Sequence, residues 1–148
     1  MSEPTAFEAR AIVSRLAHAL DADDFTGARA CLDDDCVYVG VDEPWRGSEA
    51  IIASYADASA WAHRTFDEVR YASDVGEAAG ATVPVIFTDY LLKAGGRWHR
   101  YRCRQEFTVG REGRIVRITH HDLPGEREGL DAYFQEFEVP DTGVRAVR

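Results

Sequence analysis

At 148 residues, 45 % of them apolar and 29 % charged, the chain has the composition of a folded globular protein and the length for one core. A formal net charge of −9 opposes a polyanion, so nucleic acid is excluded as a partner. No apolar run nears the ~20 residues that cross a bilayer, which excludes a membrane-spanning helix. The polar start, Met1 to Arg10, lacks the form of a secretory signal, so a cytoplasmic location is expected.

Thr5 and Glu8 have the spacing of a capping box, and Ile12, Val13, Leu16 and Leu20 recur behind them at helical intervals. This predicts an amphipathic helix over residues 6 to 20. Asp24 can cap a short second helix carrying Phe25, Ala28 and Leu32, which the acidic run Asp33 to Asp35 ends. Cys36 to Val41 reads as a strand, Glu43 to Gly47 as a turn around Pro44, and Ser48 as the cap of a third helix running to about Ala62.

The period then changes from 3.6 to 2. Residues 66–75, 81–92, 97–109 and 113–122 read as four strands joined by short glycine-bearing turns, which implies antiparallel neighbours. Leu130, Tyr133, Phe134 and Phe137 give a C-terminal helix with an apolar face to cover. Residues 1–139 are expected to form one domain and 140–148 a loose tail. Helices followed by a meander make an α+β order, in which helices packed in the concavity of a bent antiparallel sheet leave a cone-shaped cavity.

Cys31, Cys36 and Cys103 are odd in number, with no CxxC spacing and no paired histidines. Buried free thiols are therefore expected rather than disulfides or a zinc site.

The run from Leu16 to Phe25, the run from Cys31 to Cys36, and the run from Trp45 through Gly47 to Ile51 resemble the opening of ketosteroid isomerases and SnoaL-like polyketide cyclases. Gly113 to Ile118 is similar to their final strand. The resemblance covers residues 6 to 122 and implies the cone-shaped nuclear transport factor 2-like fold, here with an extra C-terminal helix. That superfold hosts isomerases, dehydratases, cyclases, epoxide hydrolases and binders, so the fold alone assigns no reaction. The isomerase residues do not carry over. Leu16 stands where the family's tyrosine donor would fall, Val39 where its base aspartate would fall, and Gln105 where its protonated aspartate would fall. A steroid isomerase needs the base and the donors together.

If Gln105 faces the interior, period-two alternation turns Phe107, Cys103, Tyr101 and His99 inward and Arg100, Arg102, Arg104 and Glu106 outward. The same logic turns Val116, Ile118, His120 and Asp122 inward on the last strand. Tyr38, Trp45, Tyr55 and Trp61 supply aromatic walls, and Asp89 joins the lining if it points inward, since its strand is apolar on both faces. An apolar wall with a few convergent polar groups is the usual form of a small-molecule site.

His120 and Asp122, two apart on one strand face, suit an acid–base pair. SnoaL-like cyclases use a late-strand aspartate beside a histidine, and the resemblance implies that role for Asp122 with His120 or His99 as partner. Asp122 can equally cap the loop at Leu123 to Gly125, with His120 merely lining a wet mouth. Two readings stay open. One is a cofactor-independent lyase, isomerase or cyclase moving a proton on a hydrophobic carbonyl or hydroxyl compound. The other is a non-catalytic ligand-binding or dimerisation domain. The resemblance implies no metal or other cofactor, and it implies a homodimer paired through the outer sheet face around Trp98.

Overall fold

Thr5 caps the first helix as its spacing predicts: the Glu8 amide donates to the Thr5 hydroxyl at 3.1 Å, and the Thr5 amide donates to the Glu8 carboxylate at 3.1 Å. In this computed structural model, which describes residues 2–40, 42, 44–93 and 95–140, the capped helix α1 spans Ala6–Asp21 and a second, α2, spans Phe25–Ala30 with Asp24 as its cap. There follow β1 (Leu32–Val39), β2 (Trp45–Arg46), α3 (Ser48–Thr65), β3 (Glu68–Val75), β4 (Thr82–Leu92), β5 (Trp98–Val109), β6 (Ile115–Asp122) and α4 (Glu126–Glu136). Val41, Glu43 and the tail from 141 to 148 lie outside the described residues.

Three local expectations are corrected. Asp33 to Asp35 do not end α2 but lie inside β1, because Leu32 and Cys36 are both buried and Leu32 pairs with Ile115. Two buried apolar anchors outweigh the poor strand propensity of three aspartates. Ser48 is the first residue of α3 rather than its cap. The cap is Gly47, held at φ 93°, a left-handed conformation that glycine adopts without a Cβ clash, and its amide donates to Cys36 O at 2.8 Å. The sheet is also not wholly antiparallel. Its order is β2-β1-β6-β5-β4-β3, and β1 runs parallel to β6. The hairpin-linked strands β3 to β6 are antiparallel as expected, whereas no tight turn dictates the direction of β1 against β6.

One sheet face carries the core. On β5 the residues Tyr101, Cys103, Gln105, Phe107 and Val109 are all buried, and on β4 the set is Val83, Val85, Phe87, Asp89 and Leu91. Helix α1 packs against β3, β4 and β5, and α3 against β1 and β3, through Val13, Leu16, Leu20, Ile51 and Tyr55. Each large apolar side chain so buried contributes roughly 1.5–3 kcal/mol, which is why the alternation holds register firmly here.

Residue Val116 breaks the expected parity. Thr108 pairs with Arg117 but Val109 pairs with Ile115, so β6 carries one extra residue at a bulge. Ile115 takes the inward position and Val116 is 37 % exposed.

Candidate functional site

Cross-strand register sets the site. Ile118 stands opposite Phe107, His120 opposite Gln105 and Asp122 opposite Cys103. On the other side of β6, Tyr38 of β1 aligns with Ile118. The inward residues of three adjacent strands therefore converge, and Tyr55 reaches them from α3.

Their polar atoms form one string. The Tyr55 hydroxyl donates to Gln105 Oε1 at 2.6 Å, Gln105 Nε2 lies 3.4 Å from His120 Nδ1, and His120 Nε2 lies 2.8 Å from Asp122 Oδ1. The Tyr101 hydroxyl reaches the same carboxylate oxygen at 3.5 Å, and Gln105 Nε2 also touches Cys103 Sγ at 3.9 Å. Gln105 is fully buried; Asp122 is partly open to solvent. Tyr38 stands beside Tyr55 and His120, with ring centroids 6.2 and 6.3 Å apart.

Burial pushes the Tyr38 and Tyr101 hydroxyls well above the ordinary tyrosine value, so both stay protonated donors. Burial also raises the Asp122 carboxyl, but the His120 hydrogen bond and the Arg127 guanidinium more than offset it and hold the group below its ordinary value. Asp122 is accordingly a carboxylate at neutral pH.

Asp89 points inward. It is only 2 % exposed and pairs with Tyr101 on one side and Tyr71 on the other. Phe107 meets Phe87 edge-on at 6.1 Å, and Ile118 is buried beside it. Trp61 does not join the polar string but packs on Phe66 and Phe134 at 5.7 and 5.9 Å. Trp45 pairs with Tyr38 across the two-residue strand β2 and is 48 % exposed, which puts it at the rim instead of in the wall.

His99 has a different neighbourhood from the one expected of a partner to Asp122. Strand β6 ends opposite Cys103, so His99 lies past that end with α4 beside it. Its ring stacks on Tyr133 at 4.9 Å, and its Nε2 is buried with no hydrogen-bond partner among the described residues. Burial holds its basicity below the ordinary histidine value, with Glu126 opposing and Arg97 reinforcing that shift.

Sequence reasoning missed Arg127, whose Nη2 is 3.4 Å from Asp122 Oδ1 and whose guanidinium lies 5.4 Å from the Tyr101 ring centroid. The one signal for it was a basic residue soon after the strand carrying Asp122. A second network was also missed: Ser59 donates to Asp23 at 2.7 Å and shares a hydrogen bond with Tyr71 at 2.9 Å, while His63 lies 3.1 Å from Asp23. It ties the α1–α2 turn to α3 and β3, where Asp23 holds a positive φ of 55°.

The three cysteines are free and buried, and burial, aided by Asp33, raises Cys36 to about 12. Among the described residues no three His, Cys, Asp or Glu side chains are grouped to hold a metal ion, and no helix is long and apolar enough to cross a membrane. An open groove of about 290 Å³ lined by Thr26, Arg29, Leu32, Asp34 and Arg114 shares no residue with the polar string.

Solved structures share this fold. A LEH-like epoxide hydrolase of M. tuberculosis is 27 % identical with a TM-score of 0.58, over 90 % of this chain and 99 % of that one. A candidate polyketide cyclase from Pseudomonas putida KT2440 is 21 % identical with a TM-score of 0.61, over 80 % and 94 %. TerC, co-crystallised with polyporic acid, is 14 % identical with a TM-score of 0.60, over 88 % and 97 %. A search of curated proteins found no match. The SnoaL-like domain model matches residues 13–118, from within α1 to Ile118 of β6, and the chain belongs to that family.

Proposed function

We propose that the protein is a cofactor-independent lyase, isomerase or cyclase that moves a proton on a small hydrophobic carbonyl or hydroxyl compound. The observation that supports this reading is the string Tyr55–Gln105–His120–Asp122, which carries an ionised carboxylate at one end and runs through an otherwise apolar wall. In this reading Asp122 takes the proton next to the substrate carbonyl and His120 orients the carboxylate. Tyr101 donates a hydrogen bond to the oxygen where charge develops. Phe107, Ile118, Cys103, Tyr38, Tyr55 and Asp89 are the side chains the ligand would meet, on the inner face of the cone of sheet and helices, within one domain ending at residue 139. His99 lies against α4 rather than at the carboxylate and serves the lining. The likeness to an epoxide hydrolase and to a protein crystallised with polyporic acid favours an oxygenated hydrophobic ligand.

One observation favours the second reading, a binding domain without chemistry. Trp61, Phe66, Tyr133, Phe134 and Phe137 stack into a continuous aromatic cluster that fills one end of the interior. Under either reading the partner is a second copy of the chain in the cytoplasm, paired through the outer sheet face where Trp98 is 41 % exposed.

Native mass spectrometry of the protein purified from its host, followed by incubation of any released ligand with fresh protein, separates the readings. A ligand converted to a new mass supports the enzyme. One that is bound and returned unchanged supports the binder.

A further inference from the structure

Residues Tyr101, Gln105 and Asp89 are all at least nine-tenths buried, so a ligand reaches them only if a covering element moves. Helix α4 covers the Tyr101 end of this set, where the Arg127 guanidinium lies over the Tyr101 ring. It lies outside the family-matched residues 13–118 and fills the flank of β5 left open where β6 ends. Its cap is Gly125, held at φ 80°. Ion pairs tie both its ends: Arg102–Glu126 at 3.1 Å near its start and Arg97–Glu136 at 2.7 Å near its finish. The same helix carries the one guanidinium that touches the site among the described residues.

We propose that Arg127 is a positioning residue that α4 delivers to Asp122, so that closing the cover and holding the carboxylate between His120 and Tyr101 are one event. The side chain of Arg127 is 24 % exposed, and its stacking over Tyr101 limits where the fork can go. Other groups facing Asp122 are His120 from its own strand, Tyr101 and Cys103 from β5, and Tyr38 from β1. Arg127 is the only permanent cation among these, so withdrawing α4 removes a charge that no neighbour replaces. The inference rests on the reading of Asp122 as the working carboxylate, yet its test needs no substrate.

The test is a carboxyl-carbon NMR titration of Asp122 in the full chain, comparing Arg127→Met, Arg127→Lys and Glu136→Gln with the parent. Arg127→Met is expected to raise the Asp122 midpoint by about half a unit or more, a discounted form of the shift an adjacent cation gives. Arg127→Lys should restore most of the difference. Glu136→Gln removes only an exposed ion pair, which leaves α4 seated on His99 through Tyr133, and should leave the midpoint alone. A midpoint unchanged in folded Arg127→Met, or moved equally by Glu136→Gln, overturns the proposal. Should Arg127→Met not fold, Arg127→Gln takes its place, with the same expected rise and the same overturning result. A shifted midpoint together with normal turnover in Asp122→Asn would leave the positioning role standing and remove Asp122 from the chemistry.

Discussion

Tyr55 and Gln105 meet through a 2.6 Å hydrogen bond between α3 and β5, and the direction of that bond bears on which face of His120 donates. Tyr55 donates, the amide oxygen accepts, and the amide nitrogen is turned toward His120 Nδ1. An NH₂ group can only donate, so this arrangement suits the tautomer in which Nδ1 accepts and the Nε2 proton is aimed at Asp122 Oδ1. A residue on a helix thus orients a carboxylate two strands away.

Replacing Gln105 with leucine should therefore cost more than one hydrogen bond. The variant removes the acceptor of the Tyr55 hydroxyl and the donor to His120 Nδ1 in a buried setting, at about 1–3 kcal/mol for each bond lost there. Tyr55→Phe with Gln105→Leu should recover at least about 0.5 kcal/mol of the summed single losses, because the hydroxyl that lost this acceptor is gone. Urea unfolding of the four proteins measures the coupling; strict additivity would mean that the bond contributes nothing specific.

Asp122→Asn keeps the shape of the side chain and removes its charge. If the carboxylate is the base, turnover falls by the ~10²–10⁴ typical of a lost acid–base group while ligand affinity changes little. Steady-state and binding measurements on the same ligand give both numbers. Full turnover in the asparagine variant would exclude Asp122 from proton transfer.

The fold was legible where apolar periodicity is strong. Alternation on β5 named every buried residue from Tyr101 to Phe107, and the capping pair at Thr5 and Glu8 placed the start of α1. Period two fails wherever a strand holds an extra residue, and Val116 was assigned to the wrong face because no composition signal marks a bulge between Ile115 and Arg117. Asp89 was undecidable from a strand apolar on both faces. Only the ladder, which sets it beside Tyr101, fixes its direction. Arg127 was invisible for another reason: contact between a residue on α4 and Asp122 depends on where the loop through Gly125 turns, and side-chain patterning carries no information about that.

Stability should fall as the solution is acidified through the histidine range, and His99 is the cause. Its folded-state value lies below the ordinary 6.5, chiefly through burial against Tyr133 and α4, with Glu126 opposing. Between the folded and unfolded values the unfolded chain binds more protons, so stability rises with pH there. The contribution is whole above about 6.5 and is lost as pH drops toward the folded value. His99→Phe keeps the stacking and removes the titration. Thermal unfolding of that variant should show a shallower decline below pH 6.5 than the parent; parallel curves would exclude His99 as the source.

The outer face gives the last expectation. Trp98 sits there within reach of the Arg70 guanidinium, 5.2 Å from its ring centroid, on a surface that also carries Arg100, Arg102 and Arg104. The same face holds Glu106, which pairs with His121 at 2.7 Å, and Glu68, which pairs with Arg70 at 2.8 Å, so both charge signs are available for self-complementary contact. An exposed indole among arginines is the composition expected at the centre of an interface. Light scattering at micromolar concentration should give the mass of a dimer, and Trp98→Glu should shift it to monomer without loss of helix or sheet signal. A parent protein that scatters as a monomer, or a variant that stays dimeric, would place any self-association elsewhere.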